Sequence, residues 1–133
     1  KTRPKRSLCC SYSKFISLLK DGEKPTINGD GSYSRDFTYV ENAVQANVLA
    51  LCTENNSCFG EAFNIGAGGQ FSLLEMLTII KKELKSDIEP KFGPNRPGDI
   101  PHSNADISKA KTMLGYDPKI NFEMGIKKYV SLF

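Results

Sequence analysis

Arginine and aspartate side chains in loops rich in glycine and proline are the residues of this sequence best suited to chemistry. The loop 94–101 carries Arg96 and Asp99 among prolines and a glycine, and the prolines stiffen its backbone. A guanidinium binds phosphate oxygens in a bidentate manner, and a carboxylate accepts hydrogen bonds from the two hydroxyl groups of a ribose. Arg35 follows a second glycine-rich turn, so that two arginines could clamp a diphosphate. Residue types alone nevertheless favour an exposed Arg96–Asp99 ion pair, which contributes little to stability.

A glycine turn at Gly66, Gly68 and Gly69 is the second candidate. It follows a predicted strand over 61–65 and precedes a predicted helix, which is the context of a dinucleotide-binding fingerprint. That fingerprint requires a third glycine five positions after the first, and this position is Phe71. Because a bulky ring there would block the close approach of helix and strand, a loose turn that leads into a capped helix is the favoured interpretation.

The elements that must position these loops are helices and a few short strands. Hydrophobic periodicity predicts helices over 14–20, 40–53, 72–85, 107–114 and 121–130. Short strands are expected over 24–28, 35–39, 61–65 and 88–92. Helices arranged around a small mixed sheet define an α/β to α+β fold.

Two helices have informative local patterns. Ser72 and Glu75 have capping-box spacing at the start of the strongest predicted helix, whose apolar residues recur on one face. In the helix over 40–53, the predicted apolar face consists of Val40, Val44, Val48 and Leu51, with Ala43 beside them.

Composition excludes several classes of protein. The chain has 133 residues, of which 39% are hydrophobic and 25% charged, as in a globular domain. The formal net charge is +3, but four of the 18 basic residues lie within the first six positions, which leaves 14 bases against 15 acids in the rest. A nucleic-acid partner is not expected, because such proteins spread their basic residues over a face of the fold.

Membrane, metal and secreted-protein signatures are also missing from the pattern. The apolar stretches are too short to span a bilayer. The spacing of Cys9, Cys10, Cys52 and Cys58 fits neither a zinc site nor a disulfide framework, which favours reduced thiols and a cytoplasmic location. A single histidine, His102, leaves little room for a histidine metal site.

Several motifs occur in an order that resembles one known family. They are the run 25–40 with its Arg35-Asp36-Phe37, Phe63-Asn64-Ile65-Gly66, Arg96-Pro97-Gly98-Asp99, the run 105–110 and Leu114-Gly115-Tyr116. From about residue 14 to its end, the sequence resembles the carboxyl-terminal part of the extended short-chain dehydrogenases/reductases. These are the Rossmann-type, NAD-dependent sugar-nucleotide epimerases and dehydratases. Within that family the sequence is most similar to UDP-hexose 4-epimerases, especially those that act on N-acetylated sugars.

The resemblance implies roles for five residues. Arg35 and Arg96 match the family arginines that hold the UDP diphosphate, and Asp99 matches the carboxylate that binds the ribose hydroxyls. Asn28 lies where the backbone meets the uracil. Ser103 matches a position in the sugar pocket where a small residue leaves room for an acetamido group, which favours UDP-GlcNAc/UDP-GalNAc over UDP-Glc/UDP-Gal.

The same resemblance implies that catalysis lies outside this chain. The family's NAD-binding glycine turn and its catalytic Tyr-x-x-x-Lys belong to the amino-terminal half, and no tyrosine here has a lysine four positions later. We therefore expect residues 14–133 to form a carboxyl-terminal nucleotide-sugar-binding domain after an irregular tail, 1–13. The full enzyme would bind NAD, whereas this chain alone would bind no cofactor and would be inactive.

Alternatives remain open at the level of sequence. A 4,6-dehydratase or a UDP-glucuronate decarboxylase of the same family would have similar motifs, and the acid and base residues that distinguish them are absent here. The chain could also be a non-catalytic nucleotide-sugar-binding or self-associating fragment. The full enzyme is expected to be a homodimer that serves polysaccharide precursor synthesis.

Overall fold

A computed structural model describes residues 11–133, which form helices packed around two small sheets. The helices are α1 (Ser11–Lys20), α2 (Val40–Cys52), α3 (Leu73–Leu84), α4 (Ser108–Leu114) and α5 (Phe122–Val130). The strands are β1 (Thr26–Asn28), β2 (Ser34–Arg35), β3 (Phe71–Ser72), β4 (Lys91–Gly93) and β5 (His102–Ser103). A 3₁₀ turn covers Asn56–Cys58. The predicted fold class, helices around a small mixed sheet, is confirmed.

The first helix begins earlier than the sequence indicates. The predicted irregular tail spans 1–13, of which residues 1–10 lie outside the described residues. Residues 11–13 belong to α1, so the prediction is wrong for them. The Tyr12 ring packs edge-on against Phe37 and Tyr129, with centroid separations of 5.3 and 5.9 Å, and this contact stabilises the first turn of the helix.

Parallel pairing between strands that are distant in sequence organises both sheets. β1 pairs with β4 in parallel, and in the second sheet β2 lies between β3, which is antiparallel to it, and β5, which is parallel. Arg35 is the register partner of Phe71 on one side and of Ser103 on the other. β1 lies within the predicted strand 24–28, because only the paired residues form a ladder. β2 and β4 overlap the predicted strands 35–39 and 88–92 only at residue 35 and at residues 91–92, so the predictions for 36–39 and 88–90 were wrong.

The strand predicted over 61–65 is not formed. Residues 61–67 have no regular secondary structure. Within the described part of the chain, the amides of 62–65 donate no hydrogen bond to another backbone group. A strand requires such a partner. The apolar pattern alone is therefore insufficient, and this prediction was wrong.

Two apolar cores hold the elements together. The larger core joins α1, α3 and α5 through nine buried side chains: Phe15, Ile16, Leu19, Ile27, Met76, Leu77, Ile80, Phe122 and Ile126. The smaller core lies between α2 and α4 and contains Ala46, Ile107, Ala110 and Tyr116. The predicted apolar face of the third helix is thus confirmed, and α5 adds Phe122 and Ile126 to the same core.

The capping box at the start of α3 forms as predicted. The Ser72 hydroxyl accepts a hydrogen bond from the Glu75 amide at 3.1 Å, and the Glu75 carboxylate accepts one from the Ser72 amide at 2.7 Å. Hydrogen bonds from the Ser72 amide and hydroxyl lower the pKa of Glu75 below its ordinary value of 4.5. At its other end, α3 terminates at Lys85 in the left-handed conformation, with φ of 52°.

The apolar face of α2 points away from the protein core. Val40, Val44, Val48 and Leu51 are 63%, 55%, 52% and 85% exposed, and at about 100° per residue they lie within an arc of about 80°. The buried positions are Asn42 and Ala46, on the other side of the helix. Periodicity predicted the helix and its apolar stripe. Such a stripe is usually buried, but these side chains are exposed in the part of the chain that the structure describes. We call these four residues the α2 stripe.

The described helices offer no membrane-spanning segment, since none of them is both long enough and apolar enough. Within the same residues, no group of three or more histidine, cysteine, aspartate or glutamate side chains could hold a metal ion. Cys52 is exposed and Cys58 is buried, and both are free thiols.

Candidate functional site

A polar pocket of about 280 Å³ forms where β2 and β5 lie side by side, and we call it the β2–β5 pocket. It is lined by Arg35, Asp36, Thr38, Asn64, Ile65, Ser103, Asn104 and Ala105. Two of the five predicted site residues, Arg35 and Ser103, are brought together here because the parallel ladder makes them register partners. Their positions are 68 residues apart in the sequence, so only the tertiary fold makes them neighbours.

The Arg35 guanidinium is held at one edge of the pocket by backbone oxygens. Its Nη1 donates hydrogen bonds to the carbonyl oxygens of Ser34 at 2.8 Å and Pro101 at 3.2 Å. Within the described residues, its remaining N–H groups make no protein hydrogen bond. A guanidinium fixed through one nitrogen is pre-oriented to present the others to an anion.

A second set of hydrogen bonds joins β2 to its neighbours through the side chain of Ser34. The buried Ser34 hydroxyl lies 2.8 Å from Nδ1 of His102, and the Gln70 side-chain amide donates to the same hydroxyl at 2.8 Å. The Ser34 hydroxyl already accepts from Gln70, so its own proton can point to His102. The network therefore ties β2 to β5 and to the segment before β3, which gives His102 a structural role at this junction.

Arg96 and Asp99 lie outside the pocket walls, in the exposed loop 94–101. The Asp99 amide donates to the Arg96 carbonyl oxygen at 3.2 Å, and Gly98 adopts φ of 84° in the same turn. Their side chains form no ion pair with each other among residues 11–133, so the surface pair that residue types favoured is not what the structure shows. Both side chains face solvent and are open to a ligand.

Asn28 ends β1, where it is exposed and pairs with Gly93. The next residue, Gly29, has φ of 70°, and a Cβ atom there would lie 2.0 Å from Oδ1 of Asn95. The Asn95 side chain thus packs directly on the turn after β1, which only glycine permits. This contact seats the start of the loop 94–101 beside Asn28, while the end of that loop is bonded to Arg35 through Pro101.

Sequence reasoning missed four of the polar residues that line the pocket: Asp36, Thr38, Asn64 and Asn104. Asp36 and Asn64 stand inside the motifs that carry the family resemblance, so motif position was the available signal. Among residues 11–133, no cation forms an ion pair with the Asp36 carboxylate. This carboxylate accepts hydrogen bonds from the amides of Ala67 at 2.9 Å and Gly68 at 3.1 Å.

The glycine turn does not fit a dinucleotide pyrophosphate. The two amides that would bind a phosphate are already bonded to Asp36. A Cβ atom at Gly69 would lie 2.5 Å from the Phe71 ring, and the turn leads into β3 instead of directly into a helix. The geometry therefore disagrees with a dinucleotide-binding fingerprint at this position.

A separate cavity of about 210 Å³ is mainly apolar and aromatic, and none of the described residues that line it is charged. Its wall includes Phe37, Tyr39, Phe122 and Tyr129, together with Val40 from the α2 stripe. Its described lining therefore supplies no cation to balance the charge of a diphosphate. It does extend the exposed apolar surface of α2 towards α5.

Comparison with known proteins assigns the chain to a family. The sequence model of GDP-mannose 4,6-dehydratase matches residues 2–129, and the chain belongs to this family of nucleotide-sugar epimerases and dehydratases. This match confirms the family resemblance drawn from the motifs. The extended short-chain dehydrogenases of this type are NAD-dependent enzymes.

Three relatives illustrate the similarity. The UDP-glucose 4-epimerase of Thermotoga maritima superposes with a TM-score of 0.85 at 36% identity, over 95% of this chain and 40% of its own. The UDP-N-acetylglucosamine 4-epimerase of Methanobrevibacter ruminantium gives 0.85 at 34%, over 97% of this chain and 40% of its own. UDP-glucuronic acid decarboxylase 1 of Arabidopsis thaliana is 33% identical over 121 residues, which are 91% of this chain and 27% of that protein. The chain thus spans well under half the length of each of these relatives.

Proposed function

We propose that this chain is the UDP-sugar-binding part of an NAD-dependent nucleotide-sugar 4-epimerase, with UDP-GlcNAc/UDP-GalNAc as the favoured substrate pair. The observation that carries the proposal is the parallel pairing of β2 with β5, which puts Arg35 and Ser103 in one polar pocket. A cation that can bind a diphosphate and a small side chain that leaves room for a sugar substituent thereby face the same space.

Each predicted residue has a part in this proposal. Arg35 and Arg96 bind the diphosphate, and Asp99 accepts hydrogen bonds from the ribose hydroxyls. The backbone at Asn28 contacts the uracil. The serine at position 103, in contrast to a bulky side chain, admits an N-acetyl group, and a roomier pocket rarely excludes the smaller unsubstituted sugar.

The chemistry of epimerisation is assigned to residues outside this chain. NAD, when bound by the whole enzyme, would accept and return the hydride at C4 of the sugar. This chain would hold the UDP group, so that the sugar stays bound while it reacts. Residues 14–133 would then be a carboxyl-terminal substrate-binding domain, which is supported by the length of the relatives that this chain leaves uncovered.

The α2 stripe supports the same division of the fold. Four aliphatic side chains in a row on one helix face, continuous with the aromatic cavity, are more apolar surface than a helix exposes without a partner. We assign this surface to the part of the fold that the relatives possess and that residues 11–133 do not supply.

Two alternatives from the same family are a 4,6-dehydratase and a UDP-glucuronate decarboxylase. The family model that matches this chain is described for the first, and a relative of the second kind matches as well. These enzymes would bind the nucleotide in the same way as an epimerase. They differ from it in acid and base residues, which do not occur in this chain. A further alternative is a non-catalytic protein that binds nucleotide sugars. An activity assay of the whole protein distinguishes it from an enzyme, because only the enzyme would convert a nucleotide sugar.

Titration calorimetry with UDP tests the binding proposal directly. We expect saturable, weak binding of UDP and UDP-GlcNAc, and no heat with NAD. Arg96→Ala should weaken UDP binding at least tenfold, because an exposed arginine that contacts a phosphate supplies a charge-assisted hydrogen bond, worth about 1.5–3 kcal/mol.

Lys82→Ala is the matched control, since it removes one positive charge from an exposed position on α3 and should leave the UDP affinity unchanged. Equal affinities of wild type and Arg96→Ala would contradict the role of Arg96. Binding of NAD tighter than that of UDP would contradict the division of the fold.

The α2 stripe predicts that the chain self-associates when its docking partner is absent. Light scattering should show a mass that rises with protein concentration, because burial of apolar surface stabilises association by about 25 cal/mol per Å². Replacing Val44 and Val48 together by serine should return the mass to that of one chain. Ala50→Ser, at an exposed position of the same helix about 80° from the nearest residue of the stripe, should leave the self-association of the wild type unchanged. A concentration-independent monomer mass for the wild type would argue against an unpartnered docking face.

A further inference from the structure

Three segments of the chain form the walls of the β2–β5 pocket. Asp36, in the first segment, makes hydrogen bonds to each of the other two segments or to the residues just after them. Asp36 lies just after β2. Its amide donates to the carbonyl oxygen of Ser103 at 3.0 Å, which ties it to the β5 wall. Its carboxylate oxygens accept hydrogen bonds from the amides of Ala67 at 2.9 Å and Gly68 at 3.1 Å, just after the wall that carries Asn64.

Steric contact makes this junction tight. Gly66 is buried, and a Cβ atom there would lie 2.3 Å from Oδ2 of Asp36 and 3.1 Å from Cβ of Ala105. Residues 66–68 therefore pass directly against the Asp36 carboxylate, and only glycine fits at the closest point. Asn64 lies two residues before Gly66 in the same segment.

The same segment is restrained from its other side by Tyr116. This side chain is 1% exposed, and its hydroxyl donates to the carbonyl oxygen of Gly66 at 2.7 Å. Burial, and the negative charge of Asp36, raise the pKa of the Tyr116 phenol above its ordinary value of 10.0. The hydroxyl consequently stays protonated and keeps donating at neutral pH.

From this geometry we propose that Asp36 is a positioning residue for the nucleotide sugar. Its carboxylate holds the wall that carries Asn64 at a fixed place relative to Arg35 on β2. Asn64 is exposed in the pocket, and its side-chain amide has no hydrogen-bond partner among residues 11–133, so it can meet a polar group of the ligand. The inference rests on the proposed function and extends it from the residues that contact the ligand to the one that aligns them.

The variant Asp36→Asn tests this role with little change in size. An amide can accept from one of the two backbone N–H groups but presents its own N–H₂ to the other, so one hydrogen bond is lost. By amide hydrogen exchange, we expect the amide of Ala67 or Gly68 to exchange at least tenfold faster than in the wild type, with amides in the middle of α3 unaffected. By calorimetry, the dissociation constant for UDP-GlcNAc should rise at least tenfold.

Asp106→Asn is the matched control. Asp106 makes a similar local contact, since its carboxylate accepts a hydrogen bond from the Ser108 amide at 2.9 Å, but it does not line the pocket. Both variants should lower the melting temperature, whereas only Asp36→Asn should weaken nucleotide-sugar binding. A loss of stability alone cannot produce this difference.

Two results would overturn the proposal. One is unchanged exchange of both amides in Asp36→Asn. The other is accelerated exchange with an affinity for UDP-GlcNAc equal to that of the wild type. If the wild type itself binds no nucleotide sugar, both the proposed function and the ligand-positioning role of Asp36 are wrong. The exchange data then still decide whether Asp36 fixes residues 66–68.

Should Asp36→Asn not fold, Tyr116→Phe provides the second variant. It removes the other restraint on Gly66 and changes no charge at neutral pH. We expect faster exchange at Ala67 and Gly68 and at least threefold weaker binding of UDP-GlcNAc. Wild-type behaviour in both measurements would contradict the proposal.

Discussion

Asn42→Ala is expected to lower the free energy of unfolding by about 2–5 kcal/mol. The Asn42 side chain is fully buried on α2. It donates to the carbonyl oxygen of Ile120 at 2.7 Å and accepts from the Ile120 amide at 3.0 Å. Alanine leaves both backbone groups of the half-buried Ile120 without these partners, and each unsatisfied group that is shielded from water costs about 1–3 kcal/mol. Urea denaturation followed by circular dichroism measures the change.

Asn47→Ala is the control for this experiment, because it makes the same substitution on the same helix at an exposed site. The Asn47 amide donates only to the Ala43 carbonyl oxygen of its own helix, so its loss should change stability by no more than about 0.5 kcal/mol. Asn42→Asp keeps the acceptor and removes the donor, and we expect it to be destabilised as well. If Asn42→Ala were as stable as Asn47→Ala, the link between α2 and the segment before α5 would be of no consequence.

Phe122→Ala is expected to cost about 3–5 kcal/mol, the range for truncation of a buried phenylalanine. Phe122 is 5% exposed at the start of α5, and its ring stacks on Phe71 and Phe37 at centroid distances of 4.1 and 5.3 Å. The three rings form a column that joins α5 to β3 and to the segment after β2. Truncation leaves a cavity at the centre of this column.

A comparison of three variants separates burial from aromatic character. Phe122→Leu preserves most of the volume, so it should lose less stability than alanine does. Phe59→Ala removes the same atoms at a site that is 66% exposed and should lie within about 0.5 kcal/mol of the wild type. Denaturation midpoints that fall equally for Phe122→Ala and Phe59→Ala would show that the aromatic column does not stabilise the fold.

Features that depend on neighbouring residues could be predicted from the sequence. The capping box at Ser72 and Glu75 needs only a spacing of three, and the left-handed Gly115 that ends α4 needs only the preceding helix. The buried faces of α3 and α5 follow from helical periodicity, since both helices find partners within the chain. These local rules gave the helices with errors of a few residues at their ends.

Features that depend on distant partners could not be predicted in this way. β3 and β5 have two residues each and exist only because β2 lies between them. Periodicity identifies the apolar stripe of α2 but not what covers it, and the strand pattern over 61–65 lacks a partner strand within the described residues. At the candidate site, the resemblance predicted Arg35 and Ser103, whereas the contacts of Asp36 with Ala67 and Gly68 became visible only in the folded structure.

The parallel pairings have a consequence for the order in which the molecule folds. β1 meets β4 and β2 meets β5 only after more than 60 intervening residues have closed into a loop. Closure of a long loop has an entropic cost that local helix formation does not have, so such contacts form late and slowly. Helices α3 and α5 can form before the β2–β5 pocket exists. The β2–β5 pocket is therefore a late product of folding, and it does not exist in a nascent chain until β5 has emerged and paired with β2.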